Sequence, residues 1–429
     1  NMKTEDSFLR RITPSIFREV LRFFYFKEFL FKSDLGLKSL KFSKRVVLKR
    51  LLNTYRFPKK AIWTTLFIPS EILTPLNLNP FCLEIGASLF SKIGKTQSAL
   101  LKAESFGVPT DGCSFHRAAM GYVHNNFYPK SNYLAATTSL CDSNPKTLEI
   151  CKAATGDDGM TTVLDVPYDF NDDSIKYLAE QLEEFTAQLE KSFGVTMDEN
   201  ALKEAIECSN RTREKMIEVN RLRMDPFSPL AGSDALGLIV NSHLLCGTKE
   251  GEVFYDMLLK DLKEGIERHK YNDKENNNKI KVLWLELKPY FNNDLLTNLE
   301  DKHGVKIVFE EINYVYWDAM DPEKPYESLA RKMISNQNNG PLENRLEVLK
   351  MLVEKYNVDG VIMFASWGCR RNAAAIPIIK DTLNKEGVPL LTLHGDCIDE
   401  SSYTEGQFST RLEGFVEMLK KKKGGSLNN

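Results

Sequence analysis

The chain reads as an α/β protein with two parallel-sheet domains, a helical segment between them and a helical N-terminal extension. Three observations predict this. Short apolar runs alternate with helical patterns over residues 61–170, the same alternation returns over 279–429, and the span 171–278 carries mainly helical periodicity. Strands alternating with helices imply βαβ units and a mainly parallel sheet.

Residues 1–60 form a basic helical segment in which sixteen Lys/Arg face five Asp/Glu, interleaved with Phe, Leu and Val. Such a segment suits a membrane surface or nucleic acid, but an apolar stripe is the ordinary mark of a packed helix, and that reading is preferred. In the first domain, 61–170, the runs Ala61–Pro69, Phe81–Ile85, Tyr133–Leu140 and Thr161–Val166 predict strands, with helices over Thr96–Ser105 and Asn144–Ala154. In the middle segment, 171–278, apolar residues recur every three or four positions over Ile175–Phe193 and Glu199–Arg223, and a further helix runs from about Gly251 to His269. The Asn-rich stretch Tyr271–Asn278 marks a boundary. In the second domain, 279–429, strands are predicted at Lys281–Leu287, Val305–Ile312, Val358–Ala365 and Pro389–Leu393. Helices are predicted at Asn292–Lys302, Leu342–Tyr356, from the Cys369 loop to about Lys385, and from about Gln407 to Lys421.

The hydrophobic fraction of 42%, the charged fraction of 27% and the net charge of −2 describe an ordinary globular protein with no global reason to bind nucleic acid. No apolar stretch approaches the ~18–20 residues needed to span a bilayer, and no signal-peptide pattern opens the sequence. A cytoplasmic protein is therefore expected. GxGxxG and GxxxxGK[ST] are both absent, so ATP or a dinucleotide should not be bound by those devices.

Eight cysteines, none in a CxxC pair, argue against a disulfide scaffold, a zinc ribbon or a ferredoxin-type cluster. Three of them, Cys113, Cys141 and Cys369, fall where a strand-like run gives way to a helix or at the start of one. Loops at the carboxyl ends of parallel strands are where α/β proteins place their chemistry, and a helix N-terminus favours the thiolate. Soft thiolates select iron–sulfur clusters, zinc or Cu(I), and spacing alone does not choose among them. Burial as small apolar side chains is the competing reading. Glu71 and Glu84, near candidate strand ends, are candidate general bases, and His116, three residues after Cys113, is a third candidate catalytic residue.

Phe67-Ile68-Pro69-Ser70-Glu71-Ile72 through Asn79-Pro80 resembles the opening of the 2-hydroxyacyl-CoA dehydratase family, which includes benzoyl-CoA reductase subunits and double-cubane cluster proteins. Gly112-Cys113-Ser114-Phe115-His116-Arg117, Cys141-Asp142 and Trp367-Gly368-Cys369-Arg370 resemble its three cluster-cysteine motifs. The stretch Leu393–Asp399, then Glu405-Gly406-Gln407 and Thr410–Phe415, resembles its C-terminal signature, so the likeness runs in order from about residue 61.

The resemblance implies two flavodoxin-like (Rossmann-like) domains around an iron–sulfur cluster. It implies a homodimer or a heterodimer with a related subunit, and a separate ATP-hydrolysing iron–sulfur activator that donates low-potential electrons to reduce an acyl-CoA or other small substrate. Within the family, three thiolates at Cys113, Cys141 and Cys369 suit one [4Fe-4S] cluster, whereas a double-cubane [8Fe-9S] reductase wants six. Cys82, Cys397 and Cys246 are the candidates for the further three. A zinc-stabilised or metal-free binding subunit is the alternative from another class.

Overall fold

The computed structural model describes residues 18–19, 21–22, 36–155, 159–270 and 279–426. Most of the basic segment expected over 1–60 and the whole Asn-rich stretch 271–278 lie outside the described residues. From the former, Lys38–Arg56 forms a helix that buries Val47, Leu48 and Leu51, as its apolar stripe requires. It is tied to the middle segment where the Ser39 N–H donates to Asp261 Oδ2 at 2.7 Å and Ser43 Oγ donates to Asn241 Oδ1 at 2.5 Å.

Two four-stranded parallel sheets carry the fold. The first contains β1 (Ala61–Thr64), β2 (Asn79–Cys82), β3 (Tyr133–Thr137) and β4 (Met160–Leu164) in the order β2-β1-β3-β4. The second contains β5 (Ile280–Leu285), β6 (Val305–Glu310), β7 (Gly360–Ser366) and β8 (Leu390–Gly395) in the matching order β6-β5-β7-β8. Trp63 pairs with both Phe81 and Leu134, and Leu283 pairs with both Phe309 and Val361, so β1 and β5 are inner strands. Strands covered on both faces are buried throughout, as all five residues of β3 and all seven of β7 are. Pro80, which cannot donate to a ladder, sits on the edge strand β2.

Side chains from one face of each sheet, among them Trp63, Phe81, Trp284 and Phe364, belong to a single continuous core that joins the two halves. The other face of the second sheet is covered by the helices Leu342–Tyr356 and Arg370–Lys385. The other face of the first sheet is covered by Asp172–Phe193 together with Pro325–Ile334, a helix contributed by the second half of the chain.

Local sequence explains where the long helices start and stop. Asn171 caps Asp172–Phe193 by accepting from the Ser174 N–H at 2.9 Å, two aspartates follow in the first turn, and Gly194 ends the helix at φ 63°. The predicted strand Ala61–Pro69 ends at Thr64, and two further sequence expectations change. The Phe81–Ile85 run divides, β2 ending at Cys82 and a helix occupying Leu83–Ser91, because short apolar runs are ambiguous between strand and buried helix. Pro325–Ile334, unassigned from sequence, is a helix with proline at its first position, where the missing N–H costs nothing. Among the described residues no helix is long and apolar enough to cross a membrane.

Candidate active site

In each sheet the chain reverses its direction of growth between the first and third strands, and the crevice beyond their carboxyl ends is the expected ligand site. Here the two crevices share one space. A cavity of about 500 Å³, within the usual small-molecule range, is walled by the loops that follow β1, β3, β5 and β7. Phe67, Leu140 and Glu286 line it, and all three hold positive φ, at 72°, 62° and 69°. The other described non-glycine residues with positive φ are asparagines, which tolerate it. Each of the three costs about 1–2 kcal/mol, a strain that rigid surroundings maintain at functional sites.

Cys113, Cys141 and Cys369 all line this cavity. Cys113 immediately precedes the helix Ser114–His124, Cys369 immediately precedes Arg370–Lys385, and Cys141 lies two residues before Ser143–Thr155. Cys141 and Cys369 follow the third strand of their respective sheets, so they occupy matching places in the two halves. The halves meet closely here. A Cβ on Gly368 would lie 2.5 Å from the Gly112 carbonyl oxygen and 2.6 Å from the Cys113 Cα, so only glycine lets the two cysteine loops touch.

Burial pushes all three thiols up, Cys369 to about 11, with Glu286 adding to the effect there. The N–H groups of Phe115 and His116 at the helix start pull Cys113 down, as a helix N-terminus should, but burial outweighs them. Without a bound cation these thiols keep their protons, and a soft metal must displace them. Among the described residues no group of three His, Cys, Asp or Glu side chains converges on a point that one metal ion could occupy. Cys397 is buried on the same wall. Cys82 and Cys246 are not part of it: Cys82 donates to Glu84 Oε2 at 3.3 Å behind the wall, and Cys246 is buried near Lys332 and Cys208. All eight cysteines are free of disulfides.

The two candidate bases separate in character. Glu71 is buried, which alone would raise its pKa, but Lys332 and Ser209, each at 2.6 Å from Oε1, hold it below the usual carboxylate range. So paired, it is a poor proton acceptor. Glu84 has no cationic partner among the described residues. Burial raises it to about 7, only partly offset by donors that include Cys82 and the Leu66 N–H. A carboxylate poised near neutrality on a cavity wall matches the requirement for a general base. His116 is driven down to about 4 by burial and is neutral, with Nε2 3.6 Å from Cys141 Sγ.

Other charged side chains of the wall were not singled out from sequence. Lys332 pairs with Glu71 and lies over the Trp317 ring, its ammonium 4.9 Å from the ring centre. Glu286 accepts from Arg345 at 2.6 Å and Arg371 at 3.3 Å, and Arg345 also grips Glu311 with two bonds of 2.6 and 2.7 Å. No local signal marks these residues, because Lys332 and Glu71 are 261 positions apart.

A profile of the family described as 2-hydroxyglutaryl-CoA dehydratase, D-component, matches residues 65–419. The chain is similar to the (R)-phenyllactyl-CoA dehydratase alpha subunit of Clostridium sporogenes, 24% identical over 380 residues covering 85% of this chain and 91% of that protein. It is similar to the lactoyl-CoA dehydratase subunit alpha of Anaerotignum propionicum, 25% identical over 392 residues covering 83% and 90%. It is also similar to a benzoyl-CoA reductase subunit of Thauera aromatica, 21% identical over 359 residues covering 76% and 81%.

Proposed function

The chain belongs to the 2-hydroxyglutaryl-CoA dehydratase, D-component family, and from that premise we propose that it is the iron–sulfur subunit of a 2-hydroxyacyl-CoA dehydratase. Cys113, Cys141 and Cys369 would hold one [4Fe-4S] cluster, three thiolates for four irons. What carries this reading is the meeting of three thiols from two sheets on one cavity wall. Their chemistry fits such a group: the donors are all soft, and they line one cavity of about 500 Å³. Four thiols line the cavity, Cys397 beside the three, and since Cys82 and Cys246 are kept off the wall this falls short of the six that a double cubane wants and favours a single cubane.

When bound, the cluster would supply single low-potential electrons to an acyl thioester. The chain's own residues do the remaining work. The mostly apolar cavity excludes water and orients the acyl group. Glu84, charged in part at neutral pH, takes a proton from the substrate onto its carboxylate, and the Leu66 N–H on Oε1 holds that carboxylate in place. A second subunit is expected, since the relatives are themselves named as subunits. So is an ATP-hydrolysing iron–sulfur activator as electron donor.

Anaerobic reconstitution tests the reading. About four iron and four sulfide per chain are expected, and Cys113→Ser, Cys141→Ser and Cys369→Ser should each lower iron sharply. Cys82→Ser and Cys246→Ser should leave it unchanged. Zinc alone, or no metal after reconstitution, refutes the proposal, and about eight iron per chain returns the double cubane.

A further inference from the structure

The Ser114–His124 helix that begins at Cys113 also carries His116 to the loop after β3. His116 is 5% exposed, its Nε2 lies 3.6 Å from Cys141 Sγ, and its Nδ1 is buried with no hydrogen-bond partner among the described residues. We propose that His116, as its Nε2–H tautomer, donates a hydrogen bond to the Cys141 sulfur and thereby raises the reduction potential of the iron–sulfur group that Cys141 helps to hold. This rests on the cluster reading above.

A neutral imidazole has one N–H and one bare nitrogen, and the partner of one nitrogen decides where the proton sits. With the proton on Nε2, the N–H meets a sulfur acceptor and only the bare Nδ1 goes unpaired. With the proton on Nδ1, an N–H is buried without an acceptor. The bare Nε2 then faces a sulfur that, once it ligates metal, has no proton to give. Both nitrogens are unmet, and burying a polar group without a partner is costly. The geometry therefore selects Nε2–H.

The consequence follows from charge. An added electron increases the negative charge on the ligand sulfurs, so an N–H dipole aimed at one of them stabilises the reduced state more than the oxidised state. Hydrogen bonds to sulfur are among the factors that set cluster potentials, and partners one shell beyond a ligand tune the metal. The proton is shared and not transferred. His116 is thus a positioning residue for the redox group.

The test uses the reconstituted chain and two substitutions of similar size. His116→Phe removes the donor, and His116→Gln retains an N–H at nearly the same reach. His116→Phe should keep its iron and shift the midpoint potential to a more negative value, and His116→Gln should restore the unsubstituted value. An unchanged potential in the Phe variant overturns the proposal. Should the Phe variant fail to hold iron, the unsubstituted protein decides. Grown with nitrogen-15 histidine and reduced, it should show a ring-nitrogen coupling by electron–nuclear double resonance, and absence of that coupling overturns the hydrogen bond. Failure of the unsubstituted chain to take up iron is a separate result, and it overturns the cluster reading.

Discussion

Replacing Glu84 by glutamine should make the protein more stable and less active, with the gain in stability confined to one side of a pH window. The carboxyl is 6% exposed, lacks a cationic partner among the described residues and is raised to about 7 from an ordinary 4.5. Below about pH 4.5 the group is protonated in both folded and unfolded chains, and its charge has no effect. Between about 4.5 and 7 the unfolded chain releases the proton while the folded chain keeps it, so stability falls as pH rises. Above about 7 both are ionised and the loss is constant. A difference of about 2.5 in pKa, at about 1.4 kcal/mol for each step of one, comes to about 3–4 kcal/mol. Glutamine cannot ionise, yet it offers the Leu66 N–H the same acceptor. Urea unfolding of the metal-free protein should show the two chains alike at pH 4.5 and the variant about 3–4 kcal/mol more stable at pH 8, by the same linkage. Equal differences at both pH values would mean that Glu84 is not a buried, unpaired acid. Unchanged turnover in the variant would remove it as the base.

Arg345 is 1% exposed and bridges Glu286 and Glu311, so Arg345→Met takes the guanidinium from buried Glu311 and leaves Glu286 to Arg371 alone, and should cost about 3–5 kcal/mol in urea unfolding; a change below about 1 kcal/mol would show the network to be dispensable. Gly368→Ala forces a Cβ against the Cys113 backbone and should cost about 1–3 kcal/mol while lowering iron per chain, and full iron with unchanged stability would contradict the close approach. Asn171→Ala removes the cap of Asp172–Phe193 and should cost about 1 kcal/mol, with Asn171→Ser recovering most of it in the same unfolding measurement.

The strand and helix pattern was legible in the sequence because both periodicities are local. Leu342–Tyr356 forms a helix between the two predicted ends, and β3, β4, β5 and β7 each fall within one or two residues of the predicted start. Where local pattern was ambiguous, packing decided. Leu83–Ser91 became a helix, with Gly86 placed so near the Phe81 ring that a Cβ there would lie 2.8 Å from it. The cysteine motifs were legible for a similar reason, since each is a short run at or just before a helix start, those of Cys141 and Cys369 also following a strand, whereas Cys113 lies between two helices.

Long-range relations were not. Glu71 and Glu84 look equivalent as acids near strand ends, and only the folded chain separates them. The helix Pro325–Ile334 crosses to the first sheet and brings Lys332 onto Glu71, whereas Glu84 is enclosed with no cation in reach among the described residues. The same holds for the cysteines. Sequence by itself determined an α/β chain with two repeating halves and thiols at helix starts, because those features depend on neighbours three or four positions away. Tertiary structure alone decided that Cys113, Cys141 and Cys369 share one wall while Cys82 and Cys246 do not, because burial and proximity are set by the meeting of two sheets.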